Sequence, residues 1–205
     1  SCCDLSDEIL LNLLDIIRKH NIATRLDLSG NANISEKSLV SVEKLVRNMP
    51  TLTRVIVPNN KNNNIRGATA WNELKRIARS GDRSEAATFR SVGHRDLGNL
   101  GALYVIQCLS SSLEDKEIIT HLGLHHNNIG EAGCVAIANY LKKTSNTILE
   151  LALYGNNRGS FWGREFESVL ANNKTLLVLD LGSSGIGDSG VTFLARGLSS
   201  NRTLR

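Results

Sequence analysis

An apolar frame that returns at intervals of 28 to 35 residues constrains this chain more than any other feature. Its clearest copies are Ile119-Thr-His-Leu-Gly-Leu-His-His-Asn-Asn-Ile-Gly130 and Leu176-Leu-Val-Leu-Asp-Leu-Gly-Ser-Ser-Gly-Ile-Gly187. Both follow L-x-x-L-x-L-x-x-N-x-I-G. The fourth frame position falls on Leu26, Val55, Arg90, Leu122, Leu151 and Leu179, with spacings of 29, 35, 32, 29 and 28. Leu204 restarts the frame 28 residues after Leu176. The L-x-L step is that of a strand, whereas the second half of each unit has apolar residues four apart, the step of a helix. Gly101, Val105 and Leu109 show it, as do Gly133, Ile137 and Leu141, and Gly190, Leu194 and Leu198. A lone short strand and a lone helix each leave an apolar side in water, so successive units must stack. The expected fold is α/β, with parallel strands lining one face and helices the other.

Asn31, Asn60, Asn127 and Asn156 stand where the chain leaves its strand, and a carboxamide there can satisfy backbone groups exposed in the turn. Arg95 and Ser184 replace the asparagine in the third and sixth units, whose turns are expected to be looser or differently bonded.

The period, together with L-x-x-L-x-L-x-x-N-x-I-G-x-x-G, resembles the ribonuclease-inhibitor type of leucine-rich repeat over roughly residues 22–205. Ribonuclease inhibitor, Ran GTPase-activating proteins, the sensor arrays of NOD-like receptors and tropomodulins share that pattern. The resemblance implies a right-handed leucine-rich-repeat solenoid of about six repeats, sheet on the concave face and helices on the convex face. It also implies a scaffold that binds another protein. The stretch Leu149-Glu-Leu-Ala-Leu-Tyr-Gly-Asn-Asn-Arg-Gly159, with Asn-Asn-Lys-Thr-Leu176 beyond it, is further similar to the tropomodulin actin-capping domain.

Residues 1–21 precede the frame as an N-terminal capping helix, and 22–205 form the array, a single domain with it. Leu5, Ile9, Leu13, Ile16 and Ile17 fall along one helical face, widened by Leu10 and Leu14, and Ser6 suits the N-cap. At the other end the seventh frame stops at Leu204, and an uncovered strand edge there invites self-association. The chain reads as a fragment. No apolar run approaches the roughly 20 residues that span a bilayer. Cys2, Cys3, Cys108 and Cys134 show neither metal spacing nor a disulfide framework, which points to reduced thiols and a cytoplasmic or nuclear setting. A bridge between Cys108 and Cys134 is the alternative.

Side chains alternating with the frame leucines project from the sheet. They form ladders of Arg25, Arg54, Phe89, His121, Glu150 and Val178, and of Ser29, Pro58, Gly93, His125, Tyr154 and Gly182. Arg25, Arg54, His121, His125, Glu150 and Tyr154 are the preferred partner-binding surface, since such residues owe little to packing. The two longest units lie in the middle. Residues 54–95 carry nine Lys or Arg against three acids, a local charge of +6 in a chain of +4. Arg90, His94 and Arg95 are added to the surface on that ground, for a partner with an acidic surface. Trp162 stands where sister units place Gly133 and Gly190, so its indole is expected to project onto the rim or cap a neighbour; packing is the preferred reading, and an exposed anchor is the alternative that adds it to the partner-binding residues. His94 and His126 hold equivalent positions on adjacent units and are expected to approach each other. No phosphate loop, nucleophile elbow, H-E-x-x-H helix or C-x-x-C pair occurs, so the chain reads as no enzyme, with no cofactor and no metal. The primary reading is a non-catalytic protein-interaction scaffold. Its alternatives are a regulator of a GTPase or of actin filaments, and a polyanion or nucleic-acid binder through residues 54–95. Aromatics are not interleaved with the basic residues, which disfavours nucleic acid.

Overall fold

The computed structural model describes residues 5–58, 63–79, 92–111, 119–143 and 146–205. Short parallel strands alternate with helices along the chain. The strands are β1 (Arg25–Asp27), β2 (Arg54–Ile56), β3 (His121–Gly123), β4 (Glu150–Ala152) and β5 (Val178–Asp180). The helices are α1 (Asp7–His20), α2 (Glu36–Asn48), α3 (Asn63–Arg79), α4 (Gly98–Ser111), α5 (Glu131–Leu141), α6 (Phe161–Asn172) and α7 (Gly187–Ser200). β1 pairs with β2, and β3, β4 and β5 form a second parallel ladder. Its register places Leu122 beside Leu151 and Leu151 beside Leu179, which is the frame read sideways. Past β3 the backbone continues to pair, since the Val92 and His94 amides donate to the Gly123 and His125 carbonyls at 2.9 and 3.2 Å.

Frame residues make the core. Leu26, Leu28, Val55, Val57, Val92, Leu122, Leu124, Leu151 and Leu153 are buried between strand and helix, each such side chain contributing about 1.5–3 kcal/mol. Two apolar clusters result. One runs from Leu10 to Ala68 and includes Tyr104; the other runs from Ala70 to Leu176. Helix α3 contributes to both and packs along α4. Part of the length added to the second unit is helix: α3 spans 17 residues, more than any other described.

The asparagines act as their positions predict. Asn156 Nδ2 donates to the Leu124 and Leu153 carbonyls at 3.0 and 2.7 Å, and its Oδ1 accepts from the Asn127 and Ile129 amides at 3.1 and 3.0 Å. Asn127 is fully buried and joins the Val92 carbonyl to the Arg95 amide. Asn31 bonds the Leu28 carbonyl and the Leu5 amide; Asn60 lies outside the described residues. A second set, not anticipated from the sequence, marks the helix exits. Asn72, Asn146, Asn173 and Asn201 each donate to carbonyls where a helix ends.

The first helix departs from its expected face. Leu10 and Leu14 are buried, while Ile9 and Ile16 are more than half exposed. Leu5, Leu13 and Ile17 of the expected face pack partly buried against the first cluster, while the flank expected to widen that face is buried most deeply. The Asp7 carboxylate accepts from the Ser35 amide at 2.9 Å, tying the start of α1 to the start of α2. Ser6 does cap it, accepting from the Ile9 amide. Leu198, placed on a buried stripe by the four-residue step, is 44% exposed, since no described helix covers α7 on that side. Cys108 and Cys134 are not joined in a disulfide, and Cys134 is fully buried; Cys2 and Cys3 lie outside the described residues. No described helix is long and apolar enough to cross a membrane.

Candidate functional site

In five described turns the residue before the frame-asparagine position adopts the left-handed conformation. That position holds Gly30, His94, His126, Gly155 and Ser183, with φ between 50° and 78°. Histidine tolerates that region better than most residues but at a cost of about 1 kcal/mol or more. Two histidines there, on neighbouring units, bring their rings together. His94 and His126 stack with centroids 4.4 Å apart and planes 18° from parallel. One residue earlier in the frame, His125 stacks on Tyr154 of the next unit at 4.6 Å and 4°. The two stacks meet edge to face, His126 to Tyr154 at 5.1 Å and His94 to His125 at 5.4 Å. Such offset and edge contacts are the preferred geometries of aromatic pairs.

Missing side chains make room for this four-ring cluster. A Cβ on Gly93 would collide with the His125 ring, and one on Gly155 with the His126 ring. Gly155 also sits at φ +67°, which an L side chain adopts only with strain. His94 and His126 remain exposed, His125 and Tyr154 half-buried. Burial holds the His125 imidazole below the ordinary histidine pKa; His94 and His126 add to the effect, and Asp180 opposes it. Among the described residues no three His, Cys, Asp or Glu side chains come together as a metal-binding group.

Two further features flank the rings. On one side His121 bridges Thr120 and Glu150, its Nδ1 2.7 Å from Thr120 Oγ1 and its Nε2 3.5 Å from Glu150 Oε1. On the other side Arg54, Arg66, His94 and Arg95 line a cleft next to β2. Arg95 is half-buried, and its Nη1 donates to the Thr53 carbonyl at 2.9 Å. Burial lowers its pKa; Glu73 opposes this, and Arg54 and Arg76 add to it.

Arg54, His94, Arg95, His121, His125, Glu150 and Tyr154 therefore lie along neighbouring units on the sheet side. Arg25 is the neighbour of Arg54 in register, on β1, and is paired with Asp27 at 3.4 Å. Arg90 lies outside the described residues.

Trp162 packs as preferred and must be withdrawn from the partner-binding residues: it is fully buried, and its indole N–H donates to the Asn157 carbonyl at 2.8 Å. In the flanking units a frame isoleucine, Ile129 or Ile186, fills the space over Gly133 or Gly190, where a Cβ would collide with it. The middle unit has the exposed Arg158 at the isoleucine position, and the indole occupies the core instead. Arg66 and Asp96 were not singled out from the sequence; their ion pair at 2.6 Å closes one side of the cleft, across thirty positions of chain.

A family model described as leucine-rich repeat matches residues 119–138 and 172–195. A segment of 59 residues, 29% of the chain, is 37% identical to Protein TORNADO 1 of Arabidopsis thaliana. Another of 90 residues, 44% of the chain, is 30% identical to NACHT, LRR and PYD domains-containing protein 14 of Mus musculus. The matched segments span only 4% and 9% of those two proteins. Among solved structures the chain is similar to that of Leiomodin-1 Actin-Binding Site 2 (ABS2). The TM-score is 0.50 at 23% identity, over 64% of this chain and 73% of that one.

Proposed function

We propose that this leucine-rich-repeat chain is a non-catalytic scaffold that grips a protein partner on the sheet side, centred on the four-ring cluster. In this reading about six repeats wind into a right-handed solenoid, α1 caps its first end, and the sheet is the concave face. The observation that carries the reading is the cluster itself. His94, His125, His126 and Tyr154 are gathered from three successive units, seated over glycines, and left partly open to solvent. Packing of the rings against one another leaves little side-chain entropy to lose on binding, and Tyr is a residue type enriched at interface hot spots. His121, Glu150 and Arg54 supply a polar rim beside it.

The test compares capture from a lysate of the source cells by the immobilised chain and by its Tyr154→Ala/His126→Ala variant, quantified by mass spectrometry. Proteins held by the wild type should fall at least about tenfold on the variant, the loss of roughly 1.4 kcal/mol or more, with melting temperature unchanged. Equal capture by both would move the site off the rings. A second reading, an actin-filament regulator, is motivated by the likeness to an actin-binding site of leiomodin-1. Co-sedimentation with filamentous actin decides between them: chain in the pellet selects the actin reading, chain left in the supernatant removes it.

A further inference from the structure

Basic residues scattered through the stretched middle of the sequence converge in the fold. Arg54, Arg66, Arg95 and His94 line one cavity of about 330 Å³ beside β2, floored by Val55, Ile56 and Val57. Its lining holds three guanidinium groups against one carboxylate, Asp96. Asp96 is already engaged, because Arg66 Nη1 lies 2.6 Å from its Oδ2 and 2.5 Å from its main-chain oxygen. Glu73, which acts on Arg95 from outside the cavity, is held by Arg76 through bonds of 2.9 and 2.8 Å. Arg95 uses one of its five donors on the Thr53 carbonyl, and Arg54 forms no ion pair among the described residues. Among the described residues, Arg54 and Arg95 thus face the cavity with no ion pair to an acid of its lining. A half-buried guanidinium is a strong partner for an oxyanion, since its fork matches a carboxylate in two bonds.

We propose that this cavity binds adjacent carboxylates of an acidic polypeptide segment, Arg54 and Arg95 taking one each. The volume and the apolar floor suit the methylene stems of glutamate side chains as well as their charged ends. His94 lines the cavity and also stacks on His126, so the site is continuous with the ring cluster. The inference rests on the protein-binding reading only for what presents the carboxylates.

A fluorescein-labelled peptide of alternating glutamate and glycine, titrated with the chain in low salt and followed by anisotropy, tests it. Arg54→Glu should weaken binding by about tenfold or more, whereas Arg202→Glu, an equal charge change at the far exposed end, should shift it less than about twofold. Equal weakening by both would reduce the effect to net charge and overturn the site. So would a phosphoserine peptide of the same spacing binding about tenfold tighter, since the ligand would then be phosphate. A peptide that still binds while partner capture ignores the rings sinks the ring reading alone, and the converse sinks this one alone.

Discussion

Asn156 uses both ends of its carboxamide on four backbone groups, and no shorter side chain can do the same. Ser184 occupies the equivalent position in the last unit, where its hydroxyl reaches the Leu153 and Gly182 carbonyls only at 3.5 and 3.3 Å. Arg95 solves the problem in a third way: its amide uses Asn127 Oδ1 while its guanidinium reaches back to Thr53. The expectation that these two turns would be looser or differently bonded is met, Ser184 by the first route and Arg95 by the second. Asn156→Ala strips partners from two amides and two carbonyls buried between units. It should cost about 3 kcal/mol, against less than about 1 kcal/mol for Ser184→Ala. Urea denaturation measures both, and similar shifts in midpoint would mean that the ladder asparagines are not what holds the turns. These positions were legible in advance because a turn at the end of a strand exposes the same backbone groups in every unit. The ring stacks were less so. The sequence shows His94 and His126 in equivalent positions, but only the left-handed backbone at both carries the rings into contact.

At the scale of one element, α6 shows how a unit can leave the consensus and still pack. Its neighbours combine an inward isoleucine, buried at Ile129 and partly buried at Ile186, with a helix glycine; this unit combines an outward arginine with a buried tryptophan. The glycine that the helix does need has moved one position on, to Gly163, where a Cβ would run into the backbone of Gly190 on α7. Trp162→Gly alone should cost roughly 3–5 kcal/mol, as the loss of a large core aromatic does. Adding Arg158→Ile restores the pair used on either side and should return more than about 1 kcal/mol of it, read as a non-additive double-mutant cycle. Strict additivity would show that the two positions do not share one volume. The frame places Trp162 along the chain but leaves its direction open between packing and an exposed anchor, and the structure decides for packing. Substituting a bulky residue for glycine looks like protrusion until the vacancy left by Arg158, four residues earlier, is taken into account.

Across the whole molecule the two apolar clusters differ in support. The one toward the C-terminus sits under three hydrogen-bonded strands and contains Trp162 and Phe166; the other sits under two strands. A solenoid's stability is close to a sum over units and their interfaces, so such differences persist as differences in local opening. Amides of β3, β4, α5 and α6 should therefore exchange with deuterium more slowly than those of β1, β2 and α1, as mass spectrometry can follow. A uniform rate, or the reverse order, would contradict a repeat-by-repeat account. What the sequence alone determined was everything carried by period: the strand at each L-x-L, the helix at each four-residue step, the asparagine turns and the lateral order of the ladders. Those follow from backbone geometry that every unit repeats. What only the tertiary structure decided was contact between side chains that neither repeat nor share a unit. The four rings, the three arginines around β2, the direction of Trp162 and the buried flank of α1 each depend on rotation and spare volume. A one-dimensional period contains neither quantity, because both arise only when one unit is laid against the next.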